Sequence, residues 1–410
     1  MRSFVRASTS SMRANPRSRR DASADARSAA EREGRTPDDR QPRRDPDRPR
    51  PAHAQSVVRS GTDDRITRRG EPDRPMRLQH LVHLACPSCR SPLELAELRA
   101  RSDERIDEGA LRCTGCRAGW PIVRSIPRFV EPDNYARSFG EQWNRFPRTV
   151  YDRHNGLRLY RERFFRATRW PERLAGELLV EAGCGPGAFT EIACSTGATV
   201  VAFDLSSAVD VNLRENGRCP DLLVVQGDVL QPPVAPAAFD RLFCFGVLQH
   251  TPDPAASFAR LVPLLKPGGR LAIDCYRMPT RSRWWTSYYR WRWLTRRMPH
   301  ALVHALCRVW VTVSWPIVTT LWRLPGDGGR NLARYLFLIR DSFRRKGLPV
   351  TPRFEREWAV MQLVDQLTPR YDLPQTIEAV RGWFEEAGLQ DVDVAKGDNG
   401  IVGRGRAAAP

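Results

Sequence analysis

The stretch LLVEAGCGPGAFTE, Leu178 to Glu191, decides how this chain folds. An apolar run enters Glu181 and Ala182, glycines alternate at Gly183, Gly185 and Gly187, and a helical pattern begins at Ala188. Strand, glycine turn and helix in that order describe the crevice where an open α/β sheet holds its ligands. Glycine has no Cβ, so such a turn brings bare backbone up to a bound molecule. The spacing Glu181-x-Gly183-x-Gly185-x-Gly187 is not the G-x-G-x-x-G of a dinucleotide site.

Working outward, apolar runs at Glu177 to Ala182, Thr199 to Asp204, Leu222 to Gln226, Arg241 to Phe245 and Arg270 to Tyr276 read as strands. Helical stretches at Ala188 to Ser195, Ser206 to Asn216 and Pro254 to Leu265 separate most of them, which suits right-handed crossovers in a parallel sheet. A helix from Pro374 to Ala387 then stops at Gly388. Two further strands, Asp391 to Lys396 and Gly400 to Arg406, meet at the turn GDNG. The expected class is α/β: a doubly wound, mostly parallel seven-stranded sheet with a terminal antiparallel hairpin, a small N-terminal cysteine-bearing unit and a helical insert. Upstream of the glycine turn, residues 135–176 read as two helices joined by a polar loop.

Three later motifs fall at the carboxyl ends of successive strands. Asp204 ends the second, where a carboxylate can accept from both hydroxyls of a ribose. Asp228 follows the third in Gly-Asp-Val, and the fourth runs into FCFGVLQHTPDP, with KPGG beyond the next helix. Taken in order, these motifs resemble the set of class I S-adenosylmethionine-dependent methyltransferases, most closely the branch containing the ubiquinone and menaquinone methyltransferases. The resemblance covers residues 175–276 and extends to the terminal hairpin. It implies that Glu181, Gly183, Gly185 and Gly187 shape the methionine end of S-adenosylmethionine and that Asp204 holds the ribose. Asp228 and the Val229 backbone would bind adenine, and the backbone of Phe245 and Gly246 would border the methionine portion.

Methyl transfer is an in-line displacement of an activated group, so positioning and water exclusion are the protein's main tasks. A base helps where the acceptor is a hydroxyl or an activated carbon. His250, just beyond the fourth strand, is the candidate catalytic base, with a structural role as its alternative. Tyr276 and Tyr371 are weaker candidates for lining the site. Cys184, Cys244 and Cys275 read as small core residues.

Upstream, Cys86-Pro-Ser-Cys89 and Cys113-Thr-Gly-Cys116 form two C-x-x-C knuckles with 23 residues between them. Four thiolates so spaced can surround one Zn²⁺, which would staple a unit too small for a core of its own. A hairpin between the knuckles would absorb the long gap. With the following WPIVRSIPRFV, the unit resembles the small zinc-ribbon family of tRNA-methyltransferase activators, which bind and steady a methyltransferase.

The 410 residues carry a formal charge of +19, but only Lys266, Lys346 and Lys396 among the 66 basic residues are lysines. Arginine excess of that kind speaks of a GC-rich genome before it speaks of nucleic acid. The charge is also uneven: residues 277–346 hold 15 Arg or Lys against 2 Asp, while the catalytic body is nearly neutral. Ten cysteines without an apolar leader near the N-terminus favour a reduced, cytoplasmic setting. The expected organisation is a disordered Arg, Pro and Asp-rich tail at 1–75, with Met76 an alternative start, and a zinc ribbon at 76–132. The first part of the core spans 133–276, a basic tryptophan-rich insert or cap 277–370, and the end of the core 371–410.

Seven of the twelve tryptophans lie between Trp284 and Trp322. A membrane span needs roughly 20 apolar residues, whereas 14 uncharged residues separate Arg308 from Arg323, so spanning is not expected. Two readings stay open: a packed helical cap, and a cap that touches an anionic membrane and leaves the enzyme peripheral to it. Either would set acceptor specificity. The favoured acceptor is small or lipid-like. An RNA base methyltransferase is the alternative, although FGVLQH lacks the N-P-P-Y-like segment usual for base-amino methylation. A non-catalytic scaffold is the third reading, opposed by the intact glycine loop and both acids.

Overall fold

The computed structural model describes residues 76–102, 105–278 and 288–409. The tail at 1–75 and residues 279–287 of the insert, with Trp284 and Trp285, lie outside them.

The sheet holds the switch in strand order that the glycine turn implied. Strands β5 (Leu178–Ala182), β6 (Thr199–Asp204), β7 (Leu222–Gln226), β8 (Phe239–Phe245) and β9 (Leu265–Cys275) run parallel; β10 (Gln390–Gly397) and β11 (Gly400–Arg406) form the antiparallel hairpin. Their spatial order is β10-β11-β9-β8-β5-β6-β7, so the chain leaves β5 toward β6 and later returns on its other side as β8. That reversal opens a crevice beyond the ends of β5 and β8. Alternate residues feed two cores: Val180, Ala182, Val201 and Phe203 pack on one face, and Leu179, Val200 and Ala202 on the other.

Several boundaries differ from the sequence reading, each for a local reason. Strand β9 starts at Leu265, not Arg270: Phe239 pairs with Leu265, the register shifts, and Gly268 takes φ +77° in the bulge, so KPGG is inside the ladder. Helix α6 (Pro254–Leu261) tightens into a 3-10 turn at Val262–Leu264, where Pro263 has no N–H to continue it. Helix α5 (Val209–Asn216) starts late, because the Ser206 hydroxyl and N–H both donate to Asp204. Helix α11 (Ile377–Glu386) begins where the Thr376 hydroxyl accepts from Ala379 N–H. The segment read as two helices forms three, α1 (Arg137–Arg145), α2 (Asp152–Asn155) and α3 (Leu159–Thr168), since Gly156 at φ +71° ends α2 after one turn.

The cysteine unit is a four-stranded antiparallel sheet, β1 (Leu93–Ser102), β2 (Arg105–Cys113), β3 (Gly119–Val123) and β4 (Ile126–Pro127). The β1-β2 hairpin occupies the gap between the knuckles. This unit lies along the β7 edge: Arg128 bridges Gln226 in parallel, and its guanidinium donates to Asp210 and to Gln226 Oε1. Leu84 bridges Val234, and Arg90 donates to the carbonyls of Pro232 and Val234. An edge strand left open would offer unpaired backbone groups to other chains. Here the chain leaving the small sheet pairs with the Gln226 end of that edge.

In the insert, α7 (Tyr289–Thr295), α8 (His300–Arg323), α9 (Gly328–Leu336) and α10 (Pro352–Leu367) build a third core through Val303, Val311, Trp315, Val318 and Val364, closed by Phe146 and Tyr151. Thr351 caps α10, and Pro352 fills its first turn. All ten cysteines are free.

Candidate active site

A cavity of about 230 Å³ sits at the crevice, lined by Gly183, Gly185, Asp204, Val229, Phe245, Gly246 and His250 among others. Seven of the ten residues singled out from the sequence thus reach one space. Glu181, Gly187 and Asp228 are not on its wall and act from behind it.

The turn is held in a shape that only glycine adopts readily. Gly183, Gly185 and Gly187 have φ of +77°, +51° and +99°. A Cβ on Gly183 would lie 2.3 Å from Val247 Cγ2, and one on Gly187 2.3 Å from Asn212 Oδ1. Gly185 differs: its nearest neighbour would be Trp143 Nε1 at 3.6 Å, so bare backbone faces the cavity there. Gly246, φ +72°, repeats this opposite, with Asn399 Nδ2 at 3.6 Å. Behind the turn, Tyr151 donates to the Pro186 carbonyl, and Asn216 donates to the Gly187 carbonyl at 2.9 Å.

Asp204 accepts from Gly185 N–H at 2.9 Å and from Ser206 N–H and Oγ at 2.7 and 2.6 Å. Burial nevertheless pushes its carboxyl above the usual aspartate range, those three donors opposing the rise. Glu181 is buried beneath the turn and accepts from Thr190 Oγ1 at 2.5 Å. Burial there pushes it up to about 8. Asp228 accepts from Leu230 N–H at 2.9 Å and from the Tyr135 hydroxyl at 3.2 Å, and Tyr135 does line the cavity.

The far end of the cavity is built by later elements. His250 sits in a 3-10 turn after β8, with Nδ1 3.0 Å from the Tyr371 carbonyl. A carbonyl only accepts, so Nδ1 carries the proton, and a neutral ring leaves Nε2 as an acceptor. Its ring packs against Phe139 at 4.9 Å and Tyr276 at 5.3 Å. The Tyr276 hydroxyl donates to Asp365 at 3.2 Å, and Asp365, Gln362 and Met361 bring α10 of the insert to the wall. Arg163 from α3 pairs with Asp274 at 2.6 Å, and Asn399 of the hairpin donates to the same carboxylate. Asp274 thereby ties helix, sheet and hairpin at the cavity's margin.

Among the lining residues that went unread in the sequence are Tyr135, Phe139 and Trp143, which recur at helical spacing into and along α1, and Asp365. The aromatic stripe was visible as a pattern. No local signal marked Asp365.

With the geometry in place, the likeness to known proteins can be located in the chain. Residues 180–273 match the family model described as a methyltransferase domain, and that segment is one. Ubiquinone biosynthesis O-methyltransferase of Thiobacillus denitrificans is 37% identical over 106 residues, 25% of this chain and 44% of that protein. The Methylococcus capsulatus enzyme of the same name is 36% identical over 99 residues, 23% and 42%. The chain therefore spans less than half the length of these curated relatives. Among solved structures, it is similar to Haemonchus contortus phosphoethanolamine N-methyltransferase 2 in complex with phosphomonomethylethanolamine and S-adenosylhomocysteine. That likeness is 17% identity over 68% of this chain and 49% of the other, with a TM-score of 0.36.

Proposed function

We propose that the chain is an S-adenosylmethionine-dependent methyltransferase for a small or lipid-like acceptor, and that Gly185 and Asp204 hold the cofactor. The observation supporting this is that the bare Gly185 and Gly246 backbone and the Asp204 carboxylate open on one cavity. The residues fit the cofactor chemically: a Cβ at either glycine would enter the space, and Asp204 and Asp365 give it an acidic character that suits a cation. When bound, S-adenosylmethionine supplies a methyl group activated by a sulfonium. Asp204 receives the ribose hydroxyls, while Val229 and Tyr135, steadied by Asp228, flank the adenine. Phe139, Trp143 and Phe245 exclude water. His250, oriented by the Tyr371 carbonyl, takes a proton from a hydroxyl acceptor at Nε2, and Tyr276 with Asp365 positions that acceptor. Calorimetry with S-adenosylhomocysteine tests the reading. Asp204→Ala is expected to weaken binding by at least about tenfold, as loss of a charge-assisted hydrogen-bond pair does. Equal affinities would remove Asp204 from the site and the reading with it.

The four knuckle thiols carry a separate proposal, a structural zinc. All four Sγ atoms lie within 4.8 Å of one another, with Cys86 to Cys116 at 3.6 Å and Cys89 to Cys113 at 3.3 Å. Tetrahedral Zn–S bonds of about 2.3 Å set sulfurs roughly 3.8 Å apart, so the cluster matches that ion with a small adjustment. Metal analysis of the purified chain should find close to one zinc per molecule.

A further inference from the structure

Helix α8 buries one face on α9 and α10 and leaves the other uncovered. Leu302, Leu306, Val309, Trp310, Val313 and Ile317 all stand exposed along it, Val309 by 63% and Val313 by 70%. Contiguous apolar surface of this kind marks a docking site. Trp291, Trp293 and Leu294 of α7 and Leu332 and Leu336 of α9 are also exposed in the same insert.

Two features say what covers it. No Asp or Glu occurs between Asp274 and Asp327, while Arg296, Arg297, Arg308 and Arg323 stand exposed along that run. The polar atoms on the outer face are also already satisfied from within. Thr312 donates to the Arg308 carbonyl at 2.8 Å, Thr320 to the Pro316 carbonyl at 2.9 Å, and Trp310 Nε1 to the Phe337 carbonyl at 2.9 Å. A protein partner would normally exchange about one hydrogen bond per 100–200 Å² of interface. A hydrocarbon boundary offers none and requires polar groups to be paired beforehand.

We propose that the outer face of α8 seats this protein on an anionic lipid bilayer, the helix lying along the interface with its arginines at the headgroups. By length and composition the helix could cross a membrane, but Val303, Val311, Trp315, Val318 and Trp322 are packed into the insert's core. A spanning helix would have to strip that core open. The assignment concerns a surface alone and does not depend on the methyl-transfer reading.

Flotation of the full chain with vesicles tests it. Vesicles of equimolar phosphatidylglycerol and phosphatidylcholine should carry the protein up the gradient, about tenfold more than pure phosphatidylcholine does, and salt should weaken the effect. Val309→Asp with Val313→Asp touches only exposed positions, so the thermal midpoint should hold while flotation falls by about tenfold or more. Failure of the wild type to float, or equal flotation of the double variant, overturns the proposal. So does a dimer in gel filtration that the double variant dissociates without any vesicle binding, which would give the face to a second copy.

Discussion

Glu181 shows how one buried group can make stability depend on pH. It sits beneath the glycine turn with Thr190 as its partner, and burial lifts its carboxyl from 4.5 to about 8. Between those values the unfolded chain has released the proton and the native state keeps it. Native protein therefore binds more protons, and stability falls as pH rises through that window. Each tenfold difference in proton affinity between the two states corresponds to about 1.4 kcal/mol, so the full effect is on the order of several kcal/mol. Glu181→Gln cannot ionise and retains a carbonyl to accept from Thr190. The wild type should lose stability relative to this variant as pH rises from 5 to 8, the gap between their thermal midpoints widening roughly in line with the linkage relation. Parallel curves would show that Glu181 is ionised in the native state. At this scale position was legible where side chains follow strand ends: Asp204 and His250 reach the cavity because a strand delivers each to the crevice. Asp365 was not legible, because its place depends on how a distant helix packs.

At the scale of elements, the glycine turn joins β5 to α4 (Ala188–Ser195), and its tolerance for change is testable at Gly183. Two costs are separable there. Gly183→Ala would place a methyl 2.3 Å from Val247 Cγ2 and hold alanine at φ +77°. Non-glycine residues in such a conformation cost about 1–3 kcal/mol, and the clash adds to this. Pairing it with Val247→Ala takes away both γ-methyls but keeps a Cβ 3.0 Å away, so a tight contact and the conformational part stay, and the urea midpoint should recover only in part. Full recovery would mean that sterics alone fix the turn. The parallel strands were readable from period-two and apolar runs, with errors of a few residues at their ends. Those errors arise where one residue answers a tertiary demand, as Ser206 does for Asp204 and Gly268 does in the β9 bulge. The insert was readable as helical and basic. Which of its faces is covered is a property of packing between α8, α9 and α10 and has no signature in any one of them.

For the molecule as a whole, the main question is whether the cysteine unit is an appendage or part of the body. Cys86, Leu93, Ile106, Leu111, Cys113 and Ile122 belong to the same buried cluster as Val180, Val201, Leu223 and Phe258. Arg128 and Arg90 add hydrogen bonds across the contact, and Phe129 N–H donates to the Gln226 carbonyl at 2.9 Å. A separately folding ribbon would melt on its own when its thiols are disabled. One that shares a core and whose outgoing chain pairs with the Gln226 end of the β7 edge must transmit the loss, because unfolding it exposes apolar surface and an unpaired strand end at once. Cys113→Ser, or treatment of the wild type with a zinc chelator, should therefore lower the midpoint of the whole transition by about 5 °C or more, as a loss of a few kcal/mol does in a molecule of this size. The transition should stay single by both tryptophan fluorescence and circular dichroism. An early step confined to a minor part of the signal, with the main transition unmoved, would make the ribbon an independent module.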